Sequence, residues 1–220
     1  MRRLIDLSHT IHDGLVTFKG LPGPVICDYL SREASRKNYT EGTEFQIGRI
    51  DMVANTGTYI DCPFHRFRNG RDLAETELER FVDLPAVVIR VPHRERIEIT
   101  TRDFIRVDVK GKAVLVDTGW SEHWNTPAYF DNHPFLTADA ATFLRNAGAL
   151  LVGIDSHNID DTRSKNSRPV HTTLLDAEVL IVEHLRGLDQ LPLEGFTFTA
   201  VPPKLKGVGT FPVRAFATVG

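Results

Sequence analysis

Four short apolar runs constrain this chain more than anything else in it: residues 86–91, 113–116, 150–154 and 179–182. Each has the length of a strand and no polar face, so each needs cover on both sides. Three of them run directly into an acid, at Asp117, Asp155 and Glu183. Helical patterns precede the last two. Residues 137–148 offer Thr137 as a cap, Phe143 and Leu144 as inward residues and Gly148 as a stop. A second, shorter helix opens on Pro169, carries His171 and runs to about Ala177. Helices alternating with doubly buried strands predict an α/β layered architecture, with polar groups gathered at the strand ends.

The remaining segments are less regular. Residues 4–11 and 45–53 read as strands, and 196–201 and 213–219 as closing strands. Gly20, Pro22, Gly23 and Pro24 make a loop, and 31–44 reads as a polar, mobile connection. Residues 73–81 suggest a short helix with an acidic front, and 101–107 a turn or two of helix. Residues 156–168 are polar and carry Asp160, Asp161, Arg163, Lys165 and Arg168.

The chain has 220 residues, 41% hydrophobic and 25% charged, with a net charge of −3. That profile predicts one soluble domain over 1–220 and gives no reason to expect a nucleic-acid or membrane partner. No run of about 18 apolar residues is present. The start, Met1-Arg2-Arg3-Leu4-Ile5-Asp6, lacks the apolar stretch of a signal peptide, so the cytoplasm is the expected compartment. Two cysteines, Cys27 and Cys62, provide no disulfide framework, and Cys62 reads as a buried filler.

Chemistry concentrates in Asn55-Thr56-Gly57-Thr58-Tyr59-Ile60-Asp61-Cys62-Pro63-Phe64-His65. Asp61 and His65 are four residues apart and of types that bind metals or move protons. His171 and Glu183 form a second candidate pair, whereas His184 should face away from Glu183 on an extended backbone. Gly207-Val208-Gly209-Thr210 lacks the context of a phosphate loop, and no nucleophile elbow, HExxH or CxxC occurs. What remains is a carboxylate–imidazole constellation, suited to activating water on a metal or by general base. Tyr59 either fills volume or donates a hydrogen bond to a substrate oxygen. Phe18, Trp120 and Trp124 either line an aromatic pocket or belong to the core.

The stretch 55–65 resembles the H-x-G-T-H-x-D-x-P-x-H signature of the cyclase-like metal-dependent hydrolases, the family of bacterial kynurenine formamidase and isatin hydrolase. Asp6-Leu7-Ser8-His9-Thr10, Asp117-Thr118-Gly119-Trp120, Val152-Gly153-Ile154-Asp155, Pro169-Val170-His171, Ile181-Val182-Glu183 and Pro212-Val213-Arg214 resemble its other blocks in order. The resemblance implies a swivelling β/β/α fold with a mixed sheet and a few helices, and a homodimer or homotetramer. It also implies hydrolysis of a C–N bond in a small aromatic amide, N-formyl or lactam compound, with a divalent metal, zinc or manganese. Gly57, Thr58, Asp61, Pro63 and His65 match the signature, and His171 and Glu183 match the later pair.

Asn55 and Tyr59 stand where the family has its two early metal-binding histidines. Three readings follow. A metal shifts to Asp61, His171 and Glu183; or no metal binds and His65 works with Asp61 or Glu183; or the protein is catalytically silent and binds a small ligand or a partner. In the first reading Asp61 holds metal or orients His65, and His65 moves the proton. Tyr59, Asn55 and Trp120 are the candidate substrate contacts.

Overall fold

The computed structural model describes residues 2–164 and 167–220; Lys165 therefore lies outside the described residues. In chain order the strands are β1 (Arg3–Asp6), β2 (Val25–Leu30), β3 (Ile47–Asp51), β4 (Tyr59–Asp61), β5 (Leu84–Arg90), β6 (Glu98–Ile99), β7 (Ala113–Asp117), β8 (Phe135–Leu136), β9 (Leu151–Ile154), β10 (Leu180–Glu183), β11 (Phe196–Thr199), β12 (Thr210–Pro212) and β13 (Phe216–Val219). The helices are α1 (Arg32–Ser35), α2 (Ala138–Asn146) and α3 (Pro169–Asp176).

Nine strands form one mixed sheet in the order β1-β13-β11-β5-β7-β9-β10-β4-β12. The four apolar runs are its centre. β5, β7, β9 and β10 pair in parallel, and every other pairing in this sheet is antiparallel. Alternation sends their side chains into two cores. Val87, Val114, Val116, Val152 and Ile181 meet α2 and α3 through Ala140, Leu144, Val170 and Leu174. Val88, Leu115, Leu151 and Val182 face the other way, where Ile5, Ile60, Phe198 and Ala217 from both flanks of the sheet join the same cluster. The sheet therefore curls over its own inner face. A bridge between Ser8 and Leu185, and the bond from Arg186 N to Leu7 O, tie the first strand's exit to the end of β10.

α2 is built as its sequence demands: the Thr137 hydroxyl accepts from Ala140 N, and Gly148 leaves the helix at φ +81°. Elsewhere the structure departs from the pattern. Residues 31–44 are not a bare connection, because the Ser31 hydroxyl caps α1 and a 3₁₀ turn follows at Arg36–Asn38. Residues 73–81 hold no α-helix. The Asp72 carboxylate accepts from Ala74 N and Glu75 N and reaches Gly207 N at 2.6 Å, which closes a turn and anchors it to a distant loop; only a 3₁₀ turn at Leu78–Arg80 remains. Residues 101–107 likewise reduce to a 3₁₀ turn at Thr101–Asp103. β2 and β12 carry no clear period; β12 is an edge strand ending in Pro212, a residue edges tolerate.

Candidate active site

The register of three adjacent strands assembles the site. In the β10–β4 pair, Glu183 lies opposite Tyr59, and in the β12–β4 pair, Thr210 lies opposite Asp61. Residues 59 and 61 share one face of β4, while Ile60 points into the core. The contacts follow from this. Tyr59 donates its hydroxyl proton to Glu183 Oε2 at 2.5 Å, and the Thr210 hydroxyl donates to Asp61 Oδ1. After Glu183 the chain turns through His184 at φ +58°, and the His184 imidazole leaves the site to meet the Tyr129 hydroxyl at 2.8 Å.

His65 arrives on a 3₁₀ turn, Pro63–His65, that follows β4 directly. Its Nδ1 lies 2.6 Å from the Thr210 hydroxyl. That hydroxyl has one proton, and Asp61 takes it, so His65 Nδ1–H donates to the oxygen. In the neutral ring the lone pair is then on Nε2. His171 comes from the first turn of α3. Its Nδ1–H donates to Asp160 Oδ2 at 2.6 Å, and the same carboxylate accepts from Val170 N and His171 N. Asp160 thus starts α3 and aims its imidazole in one step. Sequence reasoning passed over Asp160 as part of a polar loop. The available sequence signal is that Arg168, the residue before Pro169, has no side-chain acceptor, so an acid elsewhere in the 156–168 loop is a candidate cap.

His171 Nε2 faces Asp61 Oδ2 at 3.6 Å and Glu183 Oε1 at 3.7 Å. Asp61 Oδ2 is buried and has no hydrogen-bond partner. Glu183 is held on both oxygens, by Ile159 N at 2.6 Å on Oε1 and by Tyr59 and Asn158 on Oε2. Electrostatics reflect this crowding of acids. Burial disfavours charge on His171, yet Asp160, Asp61 and Glu183 push it up to about 10. Burial raises Glu183 to about 7, opposed by His171. Asp61 also resists charging by burial, but His65, His171 and Thr210 hold it below the usual carboxylate range. Tyr59 is driven well above the usual phenol value by burial, then by Glu183 and Asp61.

A site with three buried carboxylates around one imidazole favours a positive charge at its centre. Asp61, His65 and His171, with Glu183 Oε1 3.7 Å from His171 Nε2, are donors of the types that bind a divalent cation. Metal–ligand bonds of about 2.0–2.2 Å in a tetrahedral site place neighbouring donors roughly 3.3–3.6 Å apart, close to the spacings around His171 Nε2. The unpartnered Asp61 oxygen points into this space, and the Asp160–His171 bond is the usual outer support of a metal-binding histidine. Asp61, His65 and His171 each bring a ligand atom within 4.8 Å of the others.

A cavity of about 290 Å³ opens onto His65 and His171 and is lined by Phe18, Asn55, Tyr59 and Arg66, among others. Asp61, His65, His171 and Glu183 are therefore brought together. Asn55 and Tyr59 border the cavity, but the only hydroxyl proton of Tyr59 goes to Glu183, which removes it as a donor to substrate oxygen. Trp120 is elsewhere: its indole N–H donates to Tyr129 O, and its ring packs against His93 and His123. Trp124 stacks on His9, and Phe18 alone of the three aromatic candidates reaches the cavity. Cys62 is fully buried, with burial pushing its thiol up to about 11.

The family model described as "Putative cyclase" matches residues 5–161. The chain belongs to the cyclase family. Family relatives resemble it over their whole length. A kynurenine formamidase from Geobacillus thermodenitrificans is 29% identical, over 98% of this chain and 97% of the relative. A solved structure described as a predicted metal-dependent hydrolase, from Bacillus stearothermophilus, is 30% identical with a TM-score of 0.78, covering 99% of this chain and 98% of that one. Isatin hydrolase A from Labrenzia aggregata superposes with a TM-score of 0.84 at 24% identity, over 99% of this chain and 94% of that one, a likeness of fold.

Proposed function

We propose that this chain is a metal-dependent hydrolase that cleaves a C–N bond in a small aromatic amide, an N-formyl amine or a lactam, in the manner of an arylformamidase. One observation carries the reading: the buried, unpartnered Asp61 Oδ2 faces His171 Nε2 at 3.6 Å, with Glu183 Oε1 on the other side at 3.7 Å. Asp61, His171 and Glu183 would hold the cation, zinc or manganese. When bound, it polarises the substrate carbonyl and lowers the pKa of water.

The chain's own residues do the rest. His65 Nε2 accepts a proton from the attacking water as the water oxygen bonds to the carbonyl carbon. The C–N bond then breaks, and His65 returns the proton to the departing nitrogen. Thr210 and Asp61 keep the His65 ring in the tautomer that permits this. Phe18 and Leu21 give the cavity an apolar wall for an aromatic ring, and Asn55 a polar one for its substituents. A silent, ligand-binding role has less support, because beside their structural bonds Asp61 Oδ2 and Glu183 Oε1 both face His171 Nε2, and Asp61 Oδ2 has no other partner.

The test is turnover of an N-formyl aromatic amine by protein loaded in turn with zinc and manganese. Release of formate and amine, reduced about 100-fold or more in His65→Ala, supports the reading. No turnover of formyl or lactam substrates with any divalent metal rules it out.

We also propose that the 220 residues act as one domain, in the cytoplasm, as a homodimer or homotetramer. β1 pairing with β13 supports the first, and unpaired Cys27 and Cys62 accord with a reducing compartment. The β2–β3 ribbon supports an oligomer, since it presents Val25, Tyr29, Ile47 and Ile50 to solvent. No helix among the described residues is long and apolar enough to cross a membrane.

A further inference from the structure

We propose that the Tyr59 hydroxyl occupies, on Glu183, the position a second cation would need, so that this pocket takes one divalent cation and Tyr59 positions Glu183 for it. The inference rests on the cation reading of the pocket and goes beyond it in fixing how many ions enter and what keeps the next one out.

A carboxylate that bridges two cations with one oxygen on each needs a lone pair to spare on both oxygens. Glu183 does not meet that condition. Its Oε2 receives the Tyr59 proton at 2.5 Å and lies 3.3 Å from Asn158 Nδ2. Its Oε1 receives Ile159 N at 2.6 Å and lies 3.7 Å from His171 Nε2. The arrangement is rigid, because Tyr59 and Glu183 are directly opposed in the β4–β10 ladder and are 2% and 0% exposed. A protonated phenol gives Glu183 the partner that a metal ion would otherwise supply, without adding charge. Asp61 shows the same asymmetry: Oδ1 is taken by Thr210, and only Oδ2 is open. Asp61 therefore offers one free oxygen and Glu183 one oxygen with a single hydrogen bond, and these two lie 3.6 and 3.7 Å from the same imidazole nitrogen. Positions 55 and 59, which border the rest of the cavity, carry an amide, which offers at most one carbonyl oxygen, and a neutral phenol, which is a poor ligand, in place of nitrogen donors.

The experiment counts cations. Metal-free protein is titrated with Zn²⁺ and with Mn²⁺ by calorimetry, and the loaded protein is analysed for metal after gel filtration. The wild type is expected to bind one equivalent. Tyr59→Phe, which keeps the ring and loses the proton donor, should still bind one, with affinity weaker by about 10- to 100-fold, the usual cost of removing an outer-shell partner. Asn55→His/Tyr59→His, which restores nitrogen donors and frees Glu183 Oε2, should bind two; circular dichroism and a melting curve establish that it folds.

Two equivalents in the wild type overturn the inference while leaving the proposed hydrolase intact. Unchanged affinity in Tyr59→Phe shows that Tyr59 only fills space, and likewise overturns it. A folded double-histidine variant that still binds one ion removes the blocking role. No binding by the wild type overturns this inference and the cation reading together, an outcome distinct from a loaded protein that turns nothing over.

Discussion

Asp160 is the residue whose role is largest relative to its visibility. It accepts from two backbone amides at the start of α3 and from the His171 ring. Asp160→Asn keeps an acceptor for the helix but weakens the support of the imidazole. Cation affinity should fall about 10- to 100-fold with little loss of stability; competition against a chromophoric chelator measures it, and unchanged affinity would show that the ring is aimed by packing alone. Asp155 makes a prediction of a different kind. Burial lifts it to about 7, although it accepts from Thr118 N at 2.9 Å and the Thr118 hydroxyl at 2.6 Å. The folded chain thus holds this proton more tightly than the unfolded chain, whose carboxyl titrates near 4. Stability from this group is complete at acid pH and is lost as pH rises from about 4 to about 7, by roughly 4 kcal/mol. Urea melts of Asp155→Asn between pH 5 and pH 8 should show a flatter profile than the wild type.

Among elements, the central strands were readable because both faces of each are buried, and α2 because its cap, period and stop agree. Asp61, His65, His171 and Glu183 were readable as chemistry, since few acids and histidines sit beside so much specified backbone. Thr210, Asn158 and the Ile159 amide were not. Their roles arise from strand register and a loop path that no local pattern encodes: Thr210 meets Asp61 only because β12 pairs with β4. Gly207-Val208-Gly209-Thr210 had a meaning, but not one involving phosphate. A Cβ on Gly209 would lie 2.2 Å from His65 N and 2.5 Å from its Cα, so the glycine lets β12 approach the Pro63–His65 turn. Gly209→Ala must therefore displace His65. We expect about 1–3 kcal/mol lost in stability and a disproportionate fall in kcat, read from steady-state kinetics at a temperature where the variant is fully folded. Retained kcat would mean that the His65 position is not critical.

At the scale of the whole molecule, the β2–β3 ribbon stands apart from the curled sheet, with Tyr29 76% and Ile50 60% exposed. Two-stranded ribbons are marginal in water on their own, so a second copy is the natural cover. Sedimentation velocity should find a dimer or larger species, and Tyr29→Glu with Ile50→Glu should shift it to monomer; a wild-type monomer at micromolar concentration would refute this. The sheet order has a last consequence, for synthesis. β4 is flanked by β10 and β12, strands that leave the ribosome more than a hundred residues after it. While the chain is growing, Asp61 and His65 have neither their opposing acid nor their hydroxyl. The arrangement around Asp61 and His65 can therefore form only after the segment around residue 210 has been synthesised.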